Sequence, residues 1–276
     1  MSTEVTKVAQ DYYNSDDADH FYFQVWGGED IHVGLYRSDD EPIRDASRRT
    51  VADMANRLSL TPQTRLLDIG AGYGGAARFL AQEYGLRHVV CLNLSETQNE
   101  RNRQMSREAG LGDRIRVVDG AFENVPEPDQ DFDVVWCQDS ILHSGDKPRV
   151  FREVFRVLKP GGTFIFTDPM QADDADPAQL GPVLARIHLE EMGSFRKYRE
   201  IAKEVGFRVV DVEDHSHQLP RHYGRVKQEL EAHRKRLEET CSPGYLDRMT
   251  QGLQHWVDAG RAGHLAWGIL QFERPA

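Results

Sequence analysis

The chain has 276 residues, of which 39% are hydrophobic and 29% charged, a composition typical of a globular protein and not of a disordered one. Its 45 acidic and 34 basic side chains give a net charge of −11, which disfavours nucleic acid and anionic membranes as partners. No apolar run approaches the roughly 20 residues of a membrane span, and no signal-peptide pattern opens the chain, so we expect a cytoplasmic protein.

The first 36 residues form an arm rich in aromatic side chains, and residues 42–58 show the period of a helix. From residue 65 onward, short apolar segments alternate with amphipathic ones. The predicted strands of this part are residues 65–70, 88–94, 114–119, 132–137 and 163–168. The predicted helices are residues 75–84, 95–109 and 147–158, the last of them stopped by the sequence Lys-Pro-Gly-Gly at 159–162.

The C-terminal part is less regular. Strands are predicted at residues 207–213 and 264–272, and a final antiparallel pairing is compatible with the pattern. Helices are predicted at residues 177–191, 194–205, 223–239 and 245–259. Strands that alternate with helices predict an α/β fold in which a mostly parallel sheet is covered on both faces. We divide the chain into an arm and helix at 1–60 and an α/β domain at 61–276, with helical insertions at about 171–205 and 222–260.

Cysteine and histidine positions give no sign of a metal site. Cys91 and Cys137 lie in predicted strands, far from each other and from Cys241, so we expect buried, reduced thiols. His215 and His217 lie close together, but on a strand edge such a pair is more typical of a solvated face than of a metal site. We therefore predict no metal.

A glycine-rich segment, DIGAGYGG at residues 68–75, joins the first strand to the next helix. Glycines at such a turn let the backbone approach a ligand, and Gly70, Gly72 and Gly75 fit the G-x-G-x-x-G spacing that nicotinamide-binding proteins also have. Asp68 favours S-adenosylmethionine over a dinucleotide, because a carboxylate here would attract an amino group and repel a pyrophosphate.

Residues at the carboxyl ends of the next strands fit a nucleoside. Asn93 stands where an acidic residue usually holds ribose hydroxyls, and an amide can replace it. Phe122 could pack on adenine. For Gln98, forming a capping box with Ser95 is nearly as well supported as a ribose contact. The full set predicted to bind the cofactor is Asp68, Gly70, Gly72, Asn93, Leu94, Gln98, Ala121, Phe122 and Gln138.

Four segments, LLDIGAGYGGAARFLA, CLNLSETQNERN, FDVVWCQDSILHS and VLKPGG, resemble the successive motifs of class I S-adenosylmethionine-dependent methyltransferases. The resemblance implies a Rossmann-like, seven-stranded sheet. The flanking segments FYFQVWGGEDIHVGLY, TDPM, HLEEMGS and HWVDAGRAGHLAWG resemble sarcosine/dimethylglycine N-methyltransferases, which make the osmoprotectant glycine betaine. A similar layout occurs in phosphoethanolamine, tocopherol and cyclopropane-fatty-acid methyltransferases. Asn93 departs from the acidic ribose ligand of the wider superfamily.

Methyl transfer to an amine needs an acceptor with a free lone pair and a pocket that tolerates a cationic product. We assign His143 and Tyr22 as catalytic candidates, with His143 as a general base or as a group that orients the amine. Trp26, Tyr36 and Tyr223 are predicted to bind the substrate.

The substrate's carboxylate calls for a further partner. Arg186 is the leading candidate because a guanidinium binds a carboxylate bidentately, and Arg221, His222 and Tyr223 are alternatives. The aromatic residues of the arm, together with Trp267, could instead simply pack the arm onto the domain.

Four functions stay open at this point. The favoured one is methylation of dimethylglycine, and of sarcosine as a further acceptor. The others are a methyltransferase for another small amine, phosphobase, lipid or ring, a nicotinamide-dependent oxidoreductase, and a non-catalytic module that binds S-adenosylmethionine. The expected partner is a small amine, and the sequence leaves both a monomer and a homo-oligomer open.

Overall fold

The computed structural model describes residues 7, 14, 16–26, 28–187, 189 and 191–276, and of residues 16, 19, 186 and 187 it describes the backbone alone. The strands are β1 (Arg65–Ile69), β2 (His88–Asn93), β3 (Ile115–Asp119), β4 (Phe132–Gln138), β5 (Leu158–Gln171), β6 (Arg208–Asp214) and β7 (Leu265–Glu273). They form one sheet in the order β3-β2-β1-β4-β5-β7-β6.

The helices are α1 (Asp16–Val25), α2 (Ile43–Asn56), α3 (Gly75–Glu83), α4 (Glu96–Glu108), α5 (Lys147–Val157), α6 (Pro177–Ile187), α7 (Phe195–Val205), α8 (Gln218–Leu237) and α9 (Pro243–Arg261). A short 3-10 turn, Ile141–His143, follows β4. Among the described residues, no helix is long and apolar enough to cross a membrane.

Strands β1 to β5 pair in parallel, whereas β7 runs antiparallel to both β5 and β6. Residues Leu66 to Ile69 of β1 are all buried, as expected for a central strand covered on both faces. The seven-stranded, mostly parallel sheet predicted from the sequence is therefore confirmed. Its parallel strands bring the carboxyl ends of β1, β2, β3 and β4 to one edge.

Two apolar clusters fill the space between the sheet and its helices, and a third joins the arm to the C-terminal helices. This third cluster is called the arm cluster. Its large aromatic members are Phe21, Tyr22, Trp26, Tyr73, Tyr223, Tyr245, Trp256 and Trp267. The arm is thereby packed onto α8 and α9, and its aromatic residues Phe21, Tyr22, Trp26 and Tyr36 are buried.

Two predicted boundaries were wrong by five residues. Strand β5 begins at Leu158, which pairs with Phe132 before the register shifts, so the Pro-Gly-Gly sequence lies within an irregular strand and does not separate two elements. Helix α8 begins at Gln218 and not at Tyr223. Its Pro220 lies in the first turn, where a missing N–H group breaks no intrahelical bond.

Candidate active site

A pocket opens at the carboxyl ends of the parallel strands, where open α/β sheets bind ligands. Its empty volume is about 980 Å³, including the open solvent at its mouth. All nine residues predicted to bind the cofactor line it: Asp68, Gly70, Gly72, Asn93, Leu94, Gln98, Ala121, Phe122 and Gln138. His143 lines it as well. The structure therefore brings together residues that are spread over about a third of the α/β domain.

The glycine loop after β1 needs glycine for two separate reasons. Gly70 has a φ of 77°, and a Cβ there would lie 2.5 Å from the side chain of Ser140. At the start of α3, a Cβ on Gly75 would lie 2.3 Å from Asp30 Oδ1 and 2.8 Å from the carbonyl oxygen of Glu29. The loop is therefore packed tightly against the segment after β4 on one side and the arm on the other.

Two amide side chains form a pair on the pocket wall. Asn93 Nδ2 donates to Gln98 Oε1 at 3.1 Å. The Ser95 hydroxyl caps α4 by accepting from the Gln98 backbone N–H at 3.2 Å. Gln98 therefore takes part in the helix cap through its backbone N–H, while its side chain bonds to Asn93. The two roles considered from the sequence, the helix cap and the ribose contact, are compatible with each other.

The arm closes one side of the pocket with residues 29–32. Arg78 donates to Glu29 Oε2 through two nitrogens, at 2.9 and 2.7 Å. Arg48 lies 2.8 Å from Asp30 Oδ2. These ion pairs hold the arm to α2 and α3. Sequence reasoning missed the residues at 29–32, although two acidic residues directly after a Gly-Gly pair were a usable signal.

The buried carboxylates Asp30 and Asp68 and the half-buried Asp139 line the pocket together with His32. Burial raises the pKa of Asp68 to about 7, and nearby His32 offsets part of this rise. Burial also raises the pKa of Asp139. For Asp30 burial acts in the same direction, but His32 and Arg48 outweigh it and lower the pKa. Such a pocket suits a cationic ligand, because positive charge offsets the cost of burying carboxylates.

Asp139 joins the arm to the sheet at the pocket wall. Its Oδ2 accepts from the backbone N–H of Val33 at 2.6 Å. Its Oδ1 accepts from Thr167 Oγ1 at 2.7 Å and from Trp267 Nε1 at 2.8 Å. These bonds hold Asp139 at a φ of 50°, which is unusual for a residue other than glycine.

Buried groups hydrogen-bond to the backbone of both neighbours of His143. Asp168 is fully buried and accepts from the Leu142 N–H at 2.9 Å. Lys147 Nζ donates to the Ser144 carbonyl at 3.0 Å. Burial raises the pKa of Asp168 to about 8. The turn that carries His143 at the pocket is therefore set by groups behind it.

Tyr22, predicted to be catalytic, and Trp26, Tyr36 and Tyr223, predicted to bind the substrate, lie in or against the arm cluster and not among the lining of this pocket. Tyr22 and Trp26 are 8% and 5% exposed, and their ring centroids are 5.0 Å apart. The Tyr223 ring lies 5.8 Å from that of Trp26. The Tyr36 hydroxyl lies 2.9 Å from His222 Nδ1.

Two arginines, Arg186 and Arg221, were considered as partners for the carboxylate of the substrate. Arg186 belongs to α6, but its side chain lies outside the described residues. Arg221 Nε forms an ion pair with Asp39 at 2.9 Å. Neither position supplies direct support for a carboxylate site.

Comparison with known proteins decides to which of the candidate protein families the chain belongs. Residues 67–166 match the methyltransferase domain family. A sarcosine/dimethylglycine N-methyltransferase of Aphanothece halophytica is 54% identical over 98% of both chains. The chain belongs to the sarcosine/dimethylglycine N-methyltransferase family. A dimethylglycine N-methyltransferase of Parasynechococcus marenigrum is 48% identical over 97% of this chain and 96% of that one.

The fold of this methyltransferase agrees with a solved structure of the same kind. The crystal structure of a sarcosine dimethylglycine methyltransferase from Galdieria sulphuraria is 46% identical, covers 96% of this chain and 99% of its own, and superposes with a TM-score of 0.91. Family membership decides against the nicotinamide-dependent oxidoreductase that the glycine spacing left open. The acidic pocket can now be interpreted as part of a methyltransferase.

Proposed function

We propose that this enzyme transfers a methyl group from S-adenosylmethionine to the amine of dimethylglycine, forming glycine betaine, and that sarcosine is a further acceptor. The observation that carries the proposal is the acidic pocket lined by all nine residues predicted for the cofactor. The names of the near full-length relatives support the choice of acceptor.

The residues of the pocket fit S-adenosylmethionine. Asp68 and Asp139 offer negative charge to its amino group and sulfonium centre, and the glycine loop leaves space for close backbone contact. Asn93 and Gln98 offer amide groups of the kind that hydrogen-bond ribose hydroxyls. Gln138 Nε2 is buried without a hydrogen-bond partner among the described residues, so the pocket offers a donor for the ligand. When bound, S-adenosylmethionine supplies a methyl carbon on a positively charged sulfur.

The chain's own contribution is to orient the amine and to manage its proton. His143 lines the pocket on a turn that Asp168 and Lys147 hold in place. We assign it to accept the proton of the acceptor ammonium at a ring nitrogen, or to orient the neutral amine through the same atom. Tyr22 is assigned to the same reaction centre from the arm. Positioning of this kind can supply on the order of 7–11 kcal/mol of rate acceleration.

The arm and first helix, residues 1–60, are proposed to cover the site, and residues 61–276 to form the catalytic domain. The ion pairs of Glu29 and Asp30 with Arg78 and Arg48 support this role. A cover made of aromatic side chains would exclude water and tolerate the methylated ammonium through cation–π contacts of about 0.5–2 kcal/mol each.

The first experiment incubates the protein with labelled S-adenosylmethionine and one acceptor at a time: glycine, sarcosine, dimethylglycine, phosphoethanolamine or a lipid extract. Trimethylglycine from dimethylglycine, identified by mass, is the expected product. Product from a different acceptor alone would retain the methyltransferase and overturn the acceptor. Binding of S-adenosylmethionine without any product would instead favour a non-catalytic module.

The second experiment tests His143. His143→Ala should lower kcat at every pH and change the shape of the pH profile of turnover, because it removes the group assigned to handle the proton of the amine. Full turnover of the variant across pH would exclude both the base and the orienting role.

A further inference from the structure

Several buried nitrogen atoms without a hydrogen-bond partner belong to α1, the residue directly after it, α8 and α9. Among the described residues they are His20 Nδ1, Trp26 Nε1, His222 Nε2, Arg225 Nε and Trp256 Nε1. Buried donors are nearly always paired in folded proteins. A group of unpaired nitrogens in one interface, with no unpaired oxygen among them, therefore points to an acceptor that the interface is built to receive.

His222 is a donor at this place because its other nitrogen is already used. The backbone N–H of Gly34 donates to Nδ1 at 3.3 Å, so Nδ1 must carry a lone pair and Nε2 must carry the proton. Burial lowers the pKa of His222 to about 3, and nearby His32 acts in the same direction. The imidazole is therefore neutral and presents one N–H group.

Trp26 provides a second N–H beside the first. The Trp26 and His222 rings have centroids 5.5 Å apart at an angle of 60°, and the two side chains are 5% and 0% exposed. Arg225 follows His222 by three residues on α8 and adds a positive charge on the same helical face, shared with Glu229 at 2.9 Å. An acceptor here meets neutral N–H donors in an aromatic surround with a cation nearby, which favours an anion.

The donors lie directly behind the pocket. Val33 N–H bonds to Asp139, which lines the pocket, while the next residue, Gly34, bonds to His222. Leu142, the neighbour of His143, belongs to the arm cluster together with Trp26. The Gly34 bond places His222 next to the chain segment, residues 29–32, that lines the pocket.

We infer that the carboxylate of the amino-acid acceptor is bound by the N–H groups of Trp26 and His222, and not by a guanidinium alone. This inference rests on the proposed function, since it presupposes an acceptor with a carboxylate. The faces of Tyr22, Trp26 and Tyr223 then surround the N-methyl groups, so one cluster recognises both ends of the zwitterion.

The test compares two ligands that differ in one group. Glycine betaine and choline share a trimethylammonium, but only betaine has a carboxylate. Their dissociation constants are measured by calorimetry on the full chain saturated with S-adenosylhomocysteine. Trp26→Phe removes one N–H and keeps an aromatic ring. His222→Asn removes the other and keeps an acceptor for Gly34. Phe21→Leu is the control, because Phe21 packs 6.3 Å from Trp26 and has no polar side-chain atom.

Wild type should bind betaine at least about tenfold more tightly than choline, and each of Trp26→Phe and His222→Asn should reduce that ratio about tenfold. Phe21→Leu should leave the ratio unchanged. Retained affinity for S-adenosylhomocysteine shows that a variant is folded. The two substitutions lie in different parts of the chain, so each tests one N–H donor independently. If both folded variants keep the wild-type ratio while wild type methylates dimethylglycine, the inference is wrong and the function stands. If wild type shows no preference for betaine and makes no trimethylglycine, the proposed function fails and the inference falls with it.

Discussion

Asp68 should make cofactor binding depend on pH. A buried carboxylate binds the ligand's ammonium in its ionised form, so affinity is present above the pKa of the free enzyme and is lost as pH falls through it. With a pKa of about 7, the ionised fraction of Asp68 is about one half at pH 7 and about one hundredth at pH 5. The affinity for S-adenosylhomocysteine should therefore rise several-fold between pH 5 and pH 7, with an upper limit of about 50-fold where the protonated carboxyl contributes nothing to binding.

The matched variant is Asp68→Asn, which keeps the shape and removes the charge. It should bind S-adenosylhomocysteine about tenfold more weakly than wild type at pH 7, the usual loss for a charge-assisted hydrogen bond. Across the pH range its affinity should change far less. The other ionisable groups that line the pocket, Glu29, Asp30, His32, Glu123, Asp139 and His143, are the same in both proteins, so the difference between the two pH curves isolates Asp68.

The assay is isothermal calorimetry at pH 5, 6 and 7, with circular dichroism at each pH to confirm that both proteins are folded. Parallel pH curves for wild type and Asp68→Asn would refute the argument. They would mean that the ligand's amino group is held elsewhere, or that Asp68 is already ionised at pH 5.

Three further outcomes follow from contacts in the structure. Gly75→Ala should weaken S-adenosylhomocysteine binding at least about tenfold by calorimetry, because its Cβ would push Asp30 and the arm away, whereas Gly181→Ala, which meets nothing within 4 Å, should bind normally. Tyr198→Phe should lower the free energy of unfolding in urea by about 1–3 kcal/mol, since it removes the hydroxyl that donates to buried Asp168, and an unchanged value would contradict the role of that bond. All three thiols are buried and unpaired, so a colorimetric thiol reagent should react with them only after guanidinium unfolds the chain, and fast reaction in buffer would show that they are accessible.

The sheet and the cofactor pocket were predictable because their signals are local. Short apolar strands separated by capped helices give the element order, and parallel pairing then brings every strand's carboxyl end to one edge. Residues as distant in sequence as Asp68 and Gln138 could therefore be placed together without any tertiary information. Boundaries failed at Pro220 and at the Pro-Gly-Gly of β5, where residues that usually end an element lie within one.

The arm was not predictable in the same way. Its aromatic composition indicated burial, but the partners of that burial come from α8 and α9, some 200 residues later in the chain. Similarly, the tautomer of His222 depends on the backbone of Gly34, and the bonds of Asp139 depend on Val33 and Trp267. Such contacts have no sequence period, so residues such as His32 were found in the pocket by the structure alone.

Closure of the arm and binding of a cation should support each other. The closed arm places Asp30 near Asp68, and the repulsion between the two carboxylates adds to the rise in the Asp68 pKa. The ion pair of Asp30 with Arg48 and the bond from Val33 to Asp139 act against this repulsion, because both stabilise the closed arrangement. A positive charge bound between the carboxylates would remove the repulsion and leave the favourable contacts in place. On the proposal that the arm covers the site, its acidic residues serve in two ways, as a wall of the pocket and as groups whose contacts are favoured when a cationic donor is bound.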